Sequence, residues 1–127
     1  MTKKKKKLIL IVEDEKALTQ SLESALKETY EIALASTGQE GIEQAQRHRP
    51  DLILLDIQLP DINGIEVLQQ LKHSAKTELI PVMILTNLGD ADTVGRILKA
   101  GGTTYLVKSD HSLEEVARRI DQEINPE

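Results

Sequence analysis

The feature that most constrains the fold of this chain is a repeated alternation of short apolar runs with longer amphipathic segments. Leu8 to Val12 and Leu52 to Leu55 are uninterrupted aliphatic runs, and Pro81 to Leu85 is a third. A strand that is apolar along its whole length is typical of a parallel sheet covered by helices on both faces. Two shorter runs, Tyr30 to Ala35 and Tyr105 to Val107, bring the predicted strands to five.

The segments between these runs have the spacing of amphipathic helices. After Glu15, apolar residues recur every three or four positions, and the same spacing returns after each later strand. Pro50 stops the second predicted helix, because the residue before a proline disfavours the helical region. Gly101 closes the fourth helix. Ser112 with Glu115 three residues later predicts a capping box at the start of the fifth.

Strands that alternate with helices predict an α/β fold in which right-handed crossovers build a parallel sheet with helices on both faces. A (βα)8 barrel needs eight such units and about 250 residues. This chain has 127 residues. The prediction is therefore an open, doubly wound, five-stranded parallel sheet forming one domain over residues 1–127. A separate output domain would need a longer chain.

Composition narrows the classes of partner. The net charge of −5 argues against direct nucleic-acid binding, and Tyr30 and Tyr105 are the only aromatic residues on which a base could stack. We expect the basic start, residues 1–6, to be a flexible arm, although its lysines could also contact an anionic membrane or nucleic acid. No apolar run approaches the roughly 20 residues of a membrane helix, and no secretory signal is recognisable. A cytoplasmic protein without membrane contact is expected.

Four of the five predicted strands end in polar groups that are capable of phosphate or metal chemistry. These groups are Glu13 with Asp14, Asp56, Thr86 and Lys108. Because the carboxyl ends of parallel strands meet at one edge of a sheet, these side chains should converge there. Crowded carboxylates repel one another unless a cation lies among them, and oxygen ligands suit magnesium. A lysine and a hydroxyl beside them can bind phosphoryl oxygens, so the pattern indicates phosphoryl transfer.

The sequence also resembles a known family. The segments ILIVEDE, DLILLDIQLPDINGIEVL, PVMILT and GGTTYLVK are similar to the receiver domain of two-component response regulators, in the same order and spacing. The resemblance covers the chain from about Lys7 to Ile124. It implies the flavodoxin-like strand order 2-1-3-4-5. It also implies a signalling domain, not a dedicated enzyme, that is phosphorylated within a phosphorelay by a sensor histidine kinase or a phosphotransfer protein.

The same resemblance implies a role for each residue at the strand ends. Asp56 would accept the phosphoryl group. Asp14 would bind Mg²⁺ directly, Glu13 would hold the ion partly through water, and Asp56 and the backbone carbonyl of Gln58 would complete the protein ligands. Two further residues, Thr86 and Lys108, would contact the phosphoryl oxygens.

A switch is implied as well. Tyr105 matches the family's aromatic residue whose ring reorients on activation together with the threonine, here Thr86. The surface made by helix 4, strand 5 and helix 5 would then bind an unknown downstream protein or a second copy of the chain. The chain departs from the family where Ser109 replaces the proline after the lysine and Asn87 replaces a small residue. We expect the Lys108–Ser109 peptide to be trans, because a non-proline cis bond costs about 2.5 to 4 kcal/mol.

Two alternative functions remain open at this point. A pseudo-receiver would keep the fold as a protein-binding module that works without phosphorylation. A hydrolase with an aspartyl nucleophile, of the haloacid-dehalogenase type, would carry an acid two residues after the nucleophile, where this sequence has Gln58. Retention of the acidic cluster favours the phosphorylated receiver, because a pure binding module has no need of crowded charges.

Overall fold

Five strands and five helices alternate along residues 5–125, the part of the chain that the computed structural model describes. Their bounds are β1 Leu8–Val12, α1 Lys16–Leu26, β2 Glu31–Ala35, α2 Gly38–His48, β3 Leu52–Leu55, α3 Gly64–Lys72, β4 Val82–Thr86, α4 Ala91–Ala100, β5 Thr104–Val107 and α5 Leu113–Ile124. A single 3₁₀ turn, Lys108–Asp110, joins β5 to α5. Most of the expected flexible arm, residues 1–4, lies outside the described residues.

The strands form one sheet in the order β2-β1-β3-β4-β5, with every neighbouring pair parallel. This confirms the doubly wound fold and the order 2-1-3-4-5. The chain moves outward from β1 to β2 and then returns to β3 on the other side of β1. In open sheets of this kind, the crevice where the order reverses is where ligands bind, and it lies at the carboxyl ends of β1 and β3.

Successive side chains of a strand point to opposite faces, so the sheet has two separate cores. Helices α2, α3 and α4 cover one face, where Leu10, Ile53 and Ile84 are buried. Helices α1 and α5 cover the other, where Ile9 and Leu54 are buried. Burial on both faces explains why the central strands are apolar along their whole length.

The strand predictions differ from the structure by one residue at four places. Tyr30 and Pro81 precede β2 and β4, whereas Thr86 belongs to β4, where it pairs with Val107, and Thr104 belongs to β5. The Pro81 carbonyl accepts a hydrogen bond from the Ile53 amide at 3.0 Å, but the proline has no N–H to return. Pro81 therefore lies beside the sheet without being a full member of the strand.

Helix α4 is less buried than its apolar spacing predicts. Val94, Ile97 and Leu98 have the spacing of one helical stripe in the sequence, yet only Ile97 is buried and 58% of Leu98 is exposed. The helix lies near the β5 edge, where the sheet offers fewer side chains to pack against. Among the described residues, no helix combines the length and the apolar character needed to cross a bilayer.

Candidate functional site

The carboxyl ends of β1 and β3 bring three carboxylates together. Hydrogen bonds of the sheet continue one residue past each strand, from the Glu13 amide to Ala35 O at 2.9 Å and from the Asp56 amide to Val12 O at 3.0 Å. These bonds hold both acidic residues at the sheet edge. Glu13, Asp14 and Asp56 each place a carboxylate oxygen within 4.8 Å of the other two. The predicted convergence of these acids is therefore present in the structure.

Lys108 lies between the two buried acids. Its Nζ is 2.7 Å from Glu13 Oε1 and 3.0 Å from Asp56 Oδ2. Both carboxylates are only 4% exposed, whereas 14% of the Lys108 side chain is exposed. A buried charge is tolerated where an opposite charge and hydrogen bonds compensate it, and one ammonium does this for two carboxylates. The site consequently has an excess of negative charge.

The pKa values at the site follow from this arrangement. Burial raises the pKa of Glu13 above its usual value of 4.5, and hydrogen bonds from Lys108 and from the Glu15 amide offset only part of that rise. Burial by itself would lower the pKa of Lys108, but its hydrogen bonds to Glu13 and Asp56 leave that pKa raised. The lysine thus remains a cation beside the predicted acceptor.

Glu15 is a member of the site that the sequence analysis assigned only to the start of the first helix. Its amide donates to Glu13 Oε2 at 3.0 Å, and its own carboxylate lies 3.7 Å from Lys108 Nζ. The acidic triplet of residues 13–15 was visible in the sequence. What it did not reveal is that Lys108, more than ninety positions later, faces this residue too.

Gln58 lies in the loop that follows Asp56. The backbone N–H of Gln58 donates a hydrogen bond to Asp56 Oδ1 at 3.2 Å, so this group faces the predicted acceptor. The loop closes tightly, because the Gly64 amide donates to Ile57 O at 2.8 Å. A Cβ on Gly64 would lie 2.4 Å from the Asp56 carbonyl oxygen, so only glycine fits there. The turn formers of this loop therefore bring the chain back against the acceptor.

Thr86 and Tyr105 lie on the face covered by α2, α3 and α4. Thr86 is fully buried, and its Oγ1 accepts a long hydrogen bond of 3.4 Å from the Leu88 amide. Tyr105 packs against the core on that face, but its buried hydroxyl has no hydrogen-bond partner among the described residues. Burial, followed by the charge of Asp90, raises the pKa of Tyr105. A buried hydroxyl without a partner is costly, which makes this ring position one that a rearrangement can relieve.

The peptide after Lys108 is trans, as expected, since residues 5–125 contain no cis peptide bond. The chain enters the Lys108–Asp110 turn directly from β5. His111 Nδ1 lies 3.1 Å from Val107 O and spans this turn. Lys108 is therefore oriented by the acids that it contacts, mainly Glu13 and Asp56, and by a local turn, without a proline.

Comparison with known proteins is consistent with this geometry. The sequence model of the response regulator receiver domain matches residues 9–121. The cell cycle transcriptional regulator CtrA of Caulobacter vibrioides is 37% identical over 111 residues, which cover 87% of this chain and 47% of that protein. The chain thus spans about half the length of this curated relative.

Solved structures with similar folds include two receiver domains whose sites are occupied or modified. One is the receiver domain of a sensor histidine kinase from Pseudomonas aeruginosa with a magnesium ion coordinated in its active site cleft. It has a TM-score of 0.84 and 27% identity over 94% of this chain and 98% of that one. The other is a phosphorylated cyanobacterial phytochrome response regulator, with a TM-score of 0.81 and 29% identity over 92% of each chain.

Proposed function

This chain belongs to the response regulator receiver family. We therefore propose that Asp56 accepts a phosphoryl group from a sensor histidine kinase or a phosphotransfer protein. The observation that carries the proposal is the position of Lys108 Nζ, 3.0 Å from Asp56 Oδ2 in an acidic cluster. A carboxylate is an adequate nucleophile when neighbouring cations neutralise the incoming phosphoryl charge.

Each residue of the site has a separate role in the proposed phosphoryl transfer. An oxygen of Asp56 forms the new bond to phosphorus as the bond between phosphorus and the donor atom breaks. Lys108 is held at the site by Glu13 and Asp56 and can move its ammonium onto a phosphoryl oxygen. The Gln58 amide and the Thr86 hydroxyl are donors for the remaining oxygens. Catalysis by the protein consists mainly of position and charge.

The donor set at the strand ends fits a magnesium ion. The three clustered side chains offer only carboxylate oxygens, each oxygen can accept more than one bond, and Asp14 is exposed to solvent. Glu13, Asp14, Asp56 and the Gln58 carbonyl would hold the ion, with water at the other positions. Bound there, Mg²⁺ would neutralise charge on the acids and on the phosphoryl oxygens.

We infer that phosphorylation of Asp56 alters the surface formed by α4, β5 and α5. Strand pairing places Thr86 beside Val107, and Tyr105 is paired with Ile84 on the same two strands. Movement of the Thr86 hydroxyl toward a phosphoryl oxygen would open space into which the Tyr105 ring can shift. A downstream protein or a second copy of the chain would bind the altered surface. Coupling of about 1 to 3 kcal/mol is sufficient for such a switch.

The two alternatives are less consistent with the site. For a pseudo-receiver, the crowded Glu13, Asp14 and Asp56 would be a cost to stability without a use. For an aspartyl hydrolase of the haloacid-dehalogenase type, the position two residues after the nucleophile lacks its acid and carries the exposed amide side chain of Gln58.

Intact mass measurement after incubation with acetyl phosphate and Mg²⁺ tests the proposal. We expect the wild-type chain to gain one phosphoryl group, and Asp56→Asn or an excess of chelator to abolish the gain. A folded wild-type chain that gains no phosphoryl group would support the pseudo-receiver. Phosphorylation of Asp56→Asn, or phosphorylation unaffected by chelator, would contradict the assigned acceptor or the need for the ion.

Amide NMR spectra with and without beryllofluoride test the proposed surface. We expect shifts at Val94 to Ala100 and at Thr103 to Val107 as well as in the loops of the site. Tyr105→Ala should weaken the shifts on that surface and leave phosphorylation of Asp56 largely intact. Shifts confined to the site loops would contradict the switch, and loss of both responses would make Tyr105 structural.

A further inference from the structure

Asp61, a turn former in the loop after the acceptor, binds the start of a different helix. Its Oδ1 accepts a hydrogen bond from the Gly38 amide at 2.8 Å, and its Oδ2 accepts one from the Gln39 amide at 2.9 Å. These are the first two residues of α2. Both oxygens of one carboxylate thus bind two adjacent amides more than twenty residues away in the sequence.

Helix α2 does not need Asp61 for local capping. Thr37 Oγ1 accepts from the Glu40 amide at 3.1 Å, and Glu40 Oε1 accepts from the Ser36 amide at 2.8 Å. These local bonds satisfy part of the first turn from the helix's own sequence, although Glu40 binds the Ser36 amide and not the Thr37 amide that a capping box would use. The hydrogen bonds to Asp61 satisfy the amides of Gly38 and Gln39, which the local bonds leave free. They also join α2 to the loop that follows Asp56.

The loop and the helix start are also in close steric contact. A Cβ on Gly38 would lie 2.5 Å from Ile62 Cγ1 and 2.8 Å from Val67 Cγ2, so the absence of a side chain at Gly38 allows the approach. The other end of the loop is closed by the Gly64 amide on Ile57 O at 2.8 Å. The segment 57–63 is therefore held against α2 near its middle, and the hydrogen bond between Gly64 and Ile57 holds its two ends together.

The Asp61 carboxylate is well suited to a permanent contact of this kind. The Gln39 and Gly38 amides hold its pKa below the usual value of 3.8, so it is ionised at neutral pH. An anion at a helix N-terminus also interacts favourably with the helix dipole. The side chain is exposed, so the loop is anchored from outside the core.

We propose that Asp61 is a positioning residue for the phosphoryl-acceptor site, because it anchors to α2 the loop that carries Gln58. The anchored loop keeps the Gln58 backbone amide 3.2 Å from Asp56 Oδ1, and in the proposed magnesium site it would also hold the Gln58 carbonyl in place. This inference rests on the proposed function of Asp56 and of the magnesium site. It assigns Asp61 no contact with the ion or the phosphoryl group.

The test compares Asp61→Ala with Thr37→Ala. Both substitutions remove capping hydrogen bonds from the start of α2, but only the first releases the loop. We measure the dissociation constant for Mg²⁺ by calorimetric titration and the rate of phosphorylation by acetyl phosphate. Asp61→Ala should weaken Mg²⁺ binding about tenfold, which is typical when a residue that orients a metal ligand without touching the metal is lost. The same variant should be phosphorylated more slowly. Thr37→Ala should change neither by more than about twofold.

Two further measurements separate positioning from folding. Asp61→Asn keeps one acceptor oxygen and should recover part of the affinity. In metal-free protein, Asp61→Ala should shift the Gln58 amide resonance and speed hydrogen exchange at Gly38 and Gln39, with the circular dichroism spectrum unchanged.

The outcomes are distinguishable. Wild-type affinity and rate in Asp61→Ala would overturn the inference while leaving the proposed function intact. An equal loss in Thr37→Ala would also overturn it, because the effect would then come from helix stability. A wild-type chain that neither binds Mg²⁺ nor gains a phosphoryl group would refute the proposed function, and the inference with it.

Discussion

The two edges of the sheet use polar residues in opposite ways. At the amino edge, each polar group has its own partner: Asp51 Oδ2 accepts from the Leu8 amide at 2.8 Å, and the Tyr30 hydroxyl donates to Asp121 Oδ1 at 2.9 Å. Lys7 donates to the Ile124 carbonyl at the end of α5, at 3.3 Å. At the carboxyl edge, three carboxylates lie together, and a single lysine, Lys108, contacts two of them, Glu13 and Asp56.

The difference indicates which edge is organised for stability and which for chemistry. The paired groups at the amino edge join strand starts to one another and to the last turn of α5, and each has a separate partner. Crowded acids at the carboxyl edge cost folding free energy, and under the proposed function they would be compensated by a cation and a phosphoryl group. The buried Tyr105 hydroxyl, which has no partner among residues 5–125, lies toward this second edge as well, near Gly89 in the loop after β4. Conflicts of this kind are expected at functional sites.

Removal of the lysine at the carboxyl edge should have the largest effect. Lys108→Met leaves Glu13 and Asp56 buried without their cation, so we expect the free energy of unfolding in chelator to fall by about 3 kcal/mol. Addition of Mg²⁺ should restore part of the loss. Lys7→Met at the amino edge is the matched control and should cost less than about 1 kcal/mol, with no response to Mg²⁺. Urea unfolding with and without the ion measures both, and equal losses would remove the distinction between the edges.

The tyrosine at the amino edge should contribute to stability through its hydroxyl. Tyr30→Phe removes the bond to Asp121 and should lower the free energy of unfolding by about 1 kcal/mol at neutral pH. Burial, and then the bond to Asp121, raise the pKa of Tyr30 from 10.0 to about 12. The contribution is therefore complete below pH 10 and is lost as the pH rises toward 12. Urea unfolding between pH 8 and pH 12 should show the two curves converging, and a constant difference would contradict the assigned hydrogen bond.

The tyrosine toward the carboxyl edge should behave differently. Tyr105→Phe removes a buried hydroxyl that has no partner in the described part of the chain, so we expect the free energy of unfolding to stay the same or rise by up to about 1 kcal/mol. The same substitution should thus lower the free energy of unfolding at Tyr30 and leave it unchanged or raise it at Tyr105. Thermal unfolding of both variants in one buffer makes the comparison. A loss at Tyr105 as large as at Tyr30 would mean that its hydroxyl has a partner in solution.

The smallest expected effect concerns the exposed acid of the cluster. Asp14→Asn removes one of three like charges, so in chelator the unfolding free energy should rise by a few tenths of a kcal/mol. In Mg²⁺ the wild-type chain should be the more stable of the two, because the variant has lost one of the proposed ligands of the ion. Melting temperatures in the two buffers are the measurement. Lower stability in chelator, with the fold intact, would show that Lys108 already neutralises the cluster.

Much of the fold and part of the site were predictable because their signals are local. The apolar runs of β1 and β3, the capping box at Ser112 and the polar residues at the strand ends each depend on a few neighbouring positions. Parallel pairing then brings Glu13, Asp14 and Asp56 to the same edge without further information. The strand order was obtained from family resemblance and not from the apolar pattern.

The alternation of strands and helices and the kinds of side chain at the strand ends can be read from short stretches of sequence, since secondary structure follows from periodicity and local sterics. Three features could be seen only in the folded chain: Lys108 lies between Glu13 and Asp56, Asp61 binds the start of α2, and Leu98 is exposed. Each of these depends on the distance between segments far apart in the chain. Such distances are set by the packing of helices on a twisted sheet, and no short stretch of residues encodes them.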